Sequence, residues 1–187
     1  DYAVTGVQTC ALPILAAACG IEVAPTRLCV VDDQDVCLVR RFDREMAEGG
    51  GISRLGFISA RSVFFADPGF LAAGACSSYA RLARWLPRYN SSRQAAQELF
   101  RRMVFNCAVR NTDDHELNHA LVFSPRTGAY ELSPAYDLVP SLVRHTIHRH
   151  AMLIGDNADG SIENLLSGSA AFGLTPGEAR AIIDEVQ

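Results

Sequence analysis

Between Ser91 and Arg110 the apolar residues Ala95, Leu99, Met103, Val104, Cys107 and Ala108 recur at steps of three and four, and the chain then turns abruptly polar. That period predicts a helix with one buried face, opened by Asn90-Ser91-Ser92, whose side-chain oxygens can accept the first unpaired backbone N–H groups. A helix of this kind needs packing partners. Residues 59–65 and 77–86 carry helical periodicity, a polar stretch over 144–160 leads on to 161–172, and Thr175-Pro-Gly-Glu178 reads as a capping box opening a last helix. The runs 27–31 and 35–42 are β-branched and apolar around the polar Asp32-Asp33-Gln34, which predicts a hairpin. From Asp43 on, strand signals thin out, and Glu48-Gly-Gly-Gly51 reads as a turn. A second hairpin is expected from 119–123 and 129–132, joined by Ser124-Pro-Arg-Thr-Gly128. The expected fold class is therefore α+β, mainly α.

The 187 residues are 49% hydrophobic, enough for a sizeable core. The balance of 17 basic and 21 acidic residues, net −4, argues against nucleic-acid binding by electrostatics alone. All 17 basic residues are arginine, which excludes lysine chemistry from this sequence: Schiff bases, a P-loop lysine, or a strand lysine gripping ATP. Six cysteines at 10, 19, 29, 37, 76 and 107 form no C-x-x-C pair and read as reduced core residues. The longest apolar stretch, 10–19, is about half a membrane span. A soluble, cytoplasmic protein with no membrane partner is expected.

Residues 1–14 fit poorly with the rest of the chain. Residues 15–20 read as the end of a helix interrupted by Pro13, and VTGVQTCALPI resembles translated sequencing-adapter sequence, so 1–14 are read as a non-native leader.

The informative segment is Asn111-Thr-Asp-Asp-His-Glu-Leu-Asn118, with Ser133-Pro-Ala-Tyr-Asp137 beyond the second hairpin. Kinase phosphoryl transfer needs an Asp to orient and deprotonate the acceptor hydroxyl, an Asn five residues on to hold magnesium, and a second Asp past a β-hairpin to bridge magnesium to phosphate. Asp113 and Asn118 stand five apart, and Asp137 comes 24 residues after Asp113. Oxygen donors from Asn118 and Asp137 suit magnesium. His115 is read as a phosphate contact or a loop holder rather than a base. Asp114 is expected to point away from the reacting hydroxyl and to be cheaply replaced.

Residues 106–118 (NCAVRNTDDHELN), 132–141 (LSPAYDLVPS) and 39–44 (VRRFDR) together resemble the HipA family of bacterial serine/threonine kinases, the toxin halves of toxin–antitoxin pairs. The likeness extends over about residues 15–187. It implies a protein-kinase-like C-lobe over 45–187, truncated at both ends, preceded by the end of the N-lobe and the hinge over 15–44, the hairpin being the N-lobe remnant. It implies Asp113 as the catalytic residue, Asn118 and Asp137 as magnesium ligands, and a hinge at Arg40, Arg41 and Phe42 whose backbone receives adenine. Asp43 would face the ribose, with His115, Asn118 and Tyr136 also beside the nucleotide. The cofactors implied are ATP and magnesium; the partners implied are a protein substrate and a helix-turn-helix, HipB-like antitoxin. Where the family usually has Glu, Arg40 stands, and the family's lysine and phosphate-covering loop have no counterpart here. A fragment inactive alone is the expectation. Two other readings remain open: a pseudokinase-like partner-binding lobe, and a metal-dependent phosphohydrolase in which Asp113, Asp114 and His115 ligate the metal. Trp85 with Tyr79, Leu82 and Leu86 reads as core, His145, His148 and His150 as a solvated face, and Arg101 and Arg102 as surface or acid-paired.

Overall fold

The structure, a computed structural model, describes residues 7–47, 49–67, 69–70, 76–89, 92–140 and 149–187, without the side chains of 7–10. The readings made of Glu48, of Asn90 and Ser91, and of His145 and His148 lie outside the described residues.

The helix expected after residue 90 spans Arg93–Ala108. Ser92 caps it, its hydroxyl accepting from the Ala95 N–H at 3.3 Å. Leu99, Phe100, Met103, Val104 and Phe105 are all buried, so the buried arc is wider than the stripe read from sequence, and Ala108 is exposed. Around this helix, numbered α4, pack α3 (Tyr79–Trp85) and α6 (Pro176–Val186). Phe100 meets Phe172 edge to face at 5.2 Å, within the geometry aromatic pairs prefer. The Thr175 capping box forms with both of its bonds. Residues 161–172 divide into α5 (Ile162–Ser167) and a 3₁₀ turn, Ser169–Phe172.

The first helix, α1 (Val7–Ala18), runs through Pro13 rather than stopping there. A proline inside a helix removes one hydrogen bond; Leu12 and Ala16 lie in the core on either side of it, and their burial holds the segment helical. The first hairpin pairs β1 (Thr26–Val31) with β2 (Gln34–Val39), Val31 opposite Gln34. The two turn residues Asp32 and Asp33 have φ of 49° and 60°, the left-handed conformation that matches the twist of a two-residue hairpin. Cys37 is disulfide-bonded, contrary to the expectation of reduced thiols throughout.

Three strands appear where none was expected: β3 (Arg44–Met46) paired with β4 (Ile52–Arg54), and β5 (Phe57–Ser59). Strands of three residues are too short to show alternation, and Met46 and Ile52 are exposed, so hydrophobic pattern carries no trace of them. β5 joins the second hairpin, β6 (Ala120–Ser124) and β7 (Ala129–Leu132), in the order β5-β6-β7. Ser59 ends β5 and caps α2 (Ala60–Phe65). This sheet positions the site. The β6–β7 register, Leu121 opposite Leu132, brings the residues before β6 and after β7 to one end of the hairpin. There Ala135 takes two backbone bonds from the other side, donating to Glu22 O at 2.7 Å and accepting from Ala24 N at 2.9 Å. The segment leading into β1 is thus tied beside Asp137.

Candidate active site

Of the predicted site residues, Asn118 and Asp137 meet directly. The Asn118 Nδ2 donates to Asp137 Oδ2 at 2.6 Å, across 19 residues of sequence that the hairpin folds back on itself. Asn118 Oδ1 accepts from the His115 N–H at 3.0 Å, and its own N–H donates to His115 O at 2.9 Å. The His115 backbone thus helps hold the loop, while its ring Nδ1 is buried without a hydrogen-bond partner among the described residues. Asp137 is exposed and has φ 57°, a left-handed backbone that costs an L residue about 1 kcal/mol. Strain of that kind at a charged, exposed residue is characteristic of functional positions. Asp113 sits on the same loop as Asn118, its side chain exposed.

Asp114 points the other way. Its carboxylate is buried, accepts from the Tyr79 hydroxyl, and lies 2.8 Å from His119 Nε2. Burial alone would raise this carboxyl, but the charge and hydrogen bond of His119, with the Tyr79 hydroxyl, carry it below the ordinary carboxylate range. Burial and the neighbouring Asp114 charge push the Tyr79 phenol well up, so it stays a donor. Asp114 is thus turned into the core while Asp113 is exposed. A buried carboxylate between two partners anchors the loop, which argues against its being cheaply replaced. Among the described residues no three His, Cys, Asp or Glu side chains are grouped to hold a metal ion. The direct Asp113–Asp114–His115 metal centre of the phosphohydrolase reading is thus absent, because Asp114 is turned into the core.

The hinge residues border a cleft of about 360 Å³, whose walls include Ala24, Val39, Phe42, Phe57, Tyr136 and Leu138, with Asp43 and Asp137 at its polar edge. The Phe42 ring lies 5.3 Å from that of Tyr136 and 6.4 Å from that of Phe57. An apolar, ring-lined slot of this volume with few polar groups suits a planar organic group. β2 ends at Val39, and the Arg40 N–H closes the hairpin on Pro25 O at 2.8 Å, so that donor is spent. Tyr136 fixes its hydroxyl by donating to Leu117 O at 2.6 Å, tying the cleft wall to the Asp113 loop. Burial, then the Asp114 and Asp137 charges, keep that phenol protonated.

Asp43 is the residue expected to face a ribose. It lines the cleft, yet its carboxylate is held by Arg41, Nε to Oδ1 at 2.7 Å and Nη2 to Oδ2 at 2.6 Å, and by Arg44 on Oδ2. The Arg41 hydrogen bonds hold its carboxyl below the usual range against the opposing effect of burial. Fork pairing of this kind leaves little carboxylate capacity for a ribose hydroxyl. The arginine clamp, the cleft walls at Ala24, Phe57 and Leu138, and the Tyr79–Asp114 link had no signal in the sequence. A larger open groove of about 910 Å³ between α4, α6 and the β6–β7 turn is lined by charged side chains, some paired with each other, among them Arg126 with Glu131 and Glu98 with the buried Arg102, and has no aromatic wall. Arg101 pairs with Glu185.

The structure is thus an α+β lobe in which an Asp-bearing loop, an Asn–Asp contact and an apolar cleft lie together at one end of a hairpin. The chain belongs to the family of HipA-like C-terminal domains, whose model matches residues 10–187. Among solved structures it is similar to HipA of Shewanella oneidensis MR-1, solved in complex with HipB and its operator DNA, with a TM-score of 0.77 and 21% identity. That match covers 96% of this chain and 46% of the HipA chain, so this chain spans about half the length of that relative and shares its fold. A comparison with curated proteins finds no match. Among the described residues no helix is long and apolar enough to cross a membrane.

Proposed function

We propose that this chain is the catalytic C-terminal part of a cytoplasmic toxin kinase that uses ATP and magnesium to phosphorylate a serine or threonine hydroxyl of a protein. The observation that carries the reading is the 2.6 Å contact of Asn118 with Asp137 at the edge of the apolar cleft, with Asp113 on the same loop. Adenine would enter between Phe42 and the hydrophobic walls, using backbone groups of residues 40–42 other than the Arg40 N–H. Asp137 and Asn118 fit magnesium by donor chemistry, an exposed carboxylate and an amide whose oxygen can turn from the His115 N–H toward a cation. Magnesium held there would neutralise phosphate charge. Asp113, exposed and free of a core partner, would orient the acceptor hydroxyl and take its proton. A HipB-like antitoxin is the partner suggested by the company in which the Shewanella protein was solved.

Because the sequence contains no lysine, phosphate charge is incompletely offset, and the chain alone is expected to bind ATP weakly and transfer little phosphate. The test uses magnesium-ATP affinity and radiolabelled phosphate transfer for the chain and for a longer form carrying an N-lobe. Asp137→Asn is expected to weaken magnesium-ATP binding; Asp113→Asn is expected to leave it intact and abolish transfer. An Asp137→Asn variant that binds magnesium-ATP as tightly as the parent would overturn the assignment. Transfer undiminished by Asp113→Asn would remove Asp113 as base.

A further inference from the structure

Beneath the Asp113 loop lies a buried polar chain that the proposed chemistry does not use. Asn111 returns to the end of α4, its N–H donating to Asn106 O at 2.8 Å and its Nδ2 to Asn106 Oδ1 at 3.1 Å. Asn106 Nδ2 donates to the Tyr79 hydroxyl at 3.3 Å, and that hydroxyl donates to Asp114. Asp114 meets His119, whose backbone carbonyl accepts from Ala60 at the start of α2. Asn106, Asn111, Asp114, Tyr79 and His119 are all buried. Arg102, buried one turn before Asn106, pairs with Glu98 at 2.9 Å and also feels the Asp114 charge. One hydroxyl on α3 therefore reaches the loop at two points flanking Asp113, Asn111 through Asn106 and Asp114 directly, the latter from 35 residues away in sequence.

We propose that Tyr79 is a positioning residue for this loop: its hydroxyl fixes the backbone on either side of Asp113 and so sets where that carboxylate stands. The ring is not needed for this, because it packs in the core against His119 edge to face at 5.4 Å whether or not it carries oxygen. The hydroxyl has no route to a nucleotide, being sealed in the interior. Removing it leaves the Asp114 carboxylate one donor short in a dry environment, and the loop must move to find another. A displacement of about 1 Å at a group that orients a reacting hydroxyl costs on the order of a hundredfold in turnover. For its effect on turnover the proposal rests on the phosphoryl-transfer reading; for its effect on the loop it does not.

Tyr79→Phe is the test, read by amide hydrogen exchange on the chain itself. Exchange of amides 111–118 is expected to rise about tenfold, the loss of one charge-assisted bond, while amides of residues 99–106 in α4 stay within twofold. Asp114→Asn, which also weakens the contact with His119, should produce at least as large a local rise, and the double variant should add little to it, since both changes act on the Tyr79–Asp114 link. In a form that transfers phosphate, Tyr79→Phe should lower kcat at least tenfold and leave the affinity for magnesium-ATP unchanged. Unchanged exchange at 111–118, an equal rise throughout α4, or fully additive effects would each overturn the proposal. Local opening in the chain, together with no phosphate transfer by the longer form carrying an N-lobe, would sink the kinase reading and leave the role of Tyr79 in the loop standing.

Discussion

Asp43 offers the sharpest test of how the cleft is built. Its side chain is 9% exposed, while its partners Arg41 and Arg44 are 53% and 27% exposed. A charge-assisted bond to a desolvated carboxylate nets roughly 1.5–3 kcal/mol, and an exposed ion pair about 0–1 kcal/mol. With a buried acceptor and half-exposed donors, Asp43→Asn, which keeps shape and removes charge, is expected to cost about 1.5 kcal/mol. The backbone bond from Leu55 N to Asp43 O, 3.1 Å, is untouched by the change, so the difference isolates the clamp. Urea unfolding followed by far-UV circular dichroism and by the single tryptophan, Trp85, packed against the core under Arg88, should show the midpoint falling by about 0.7 M at pH 7. The pH dependence has a definite sign. The folded carboxyl is held below its unfolded value near 3.9, so the stabilisation is complete above that value and is lost as pH falls through the lower folded one. The gap between parent and variant should therefore close in acid, because a protonated Asp43 is nearly an Asn. A gap that persists undiminished well below the folded value, or no gap at pH 7, would refute the clamp.

Two other outcomes are expected from the packing. Phe42→Ala removes the ring that faces both Tyr136 and Phe57 and should weaken adenine-nucleotide binding about tenfold or more by titration calorimetry, with adenosine affected as much as ATP because the loss lies in the base pocket. Thr175→Ala removes the hydroxyl that accepts from the Glu178 N–H while keeping the backbone N–H that donates to Glu178 Oε2, and should lower stability by about 1 kcal/mol in the same urea assay, leaving nucleotide affinity unchanged.

Much of the site was legible in sequence because the chemistry itself dictates the spacing. In the proposed chemistry a hydroxyl-orienting Asp and a magnesium-holding Asn share one short loop, so Asp113 and Asn118 stood out by their separation, and the β6–β7 turn at Ser124–Gly128 showed how Asp137 could come back beside them. The helices around Leu99 and Thr175 were legible for a different reason, since stripe and cap are local signals that tertiary packing reinforces. The hairpin at Asp32-Asp33 combined both kinds of signal.

What escaped the sequence depends on partners far along the chain. Arg44-Glu-Met46 becomes a strand only because Ile52-Ser-Arg54 lies beside it, and α1 survives Pro13 only because Leu12 and Ala16 find the core. Asp43 and Asp114 looked alike as acidic neighbours of interesting residues, one a ribose contact and the other a dispensable companion. Each is instead a buried carboxylate neutralised by its own set of donors, Arg41 and Arg44 for one, Tyr79 and His119 for the other. The two acids left exposed are Asp113 and Asp137. A common rule separates these four carboxylates: one whose acceptor sites are filled by fixed donors holds structure, and one turned to solvent beside a cleft keeps acceptor sites open, which is what the proposed chemistry asks of Asp113 and Asp137. That division is a property of three-dimensional donor placement, and it supplies the physical ground for a choice between Asp113 and Asp114 that spacing alone had suggested.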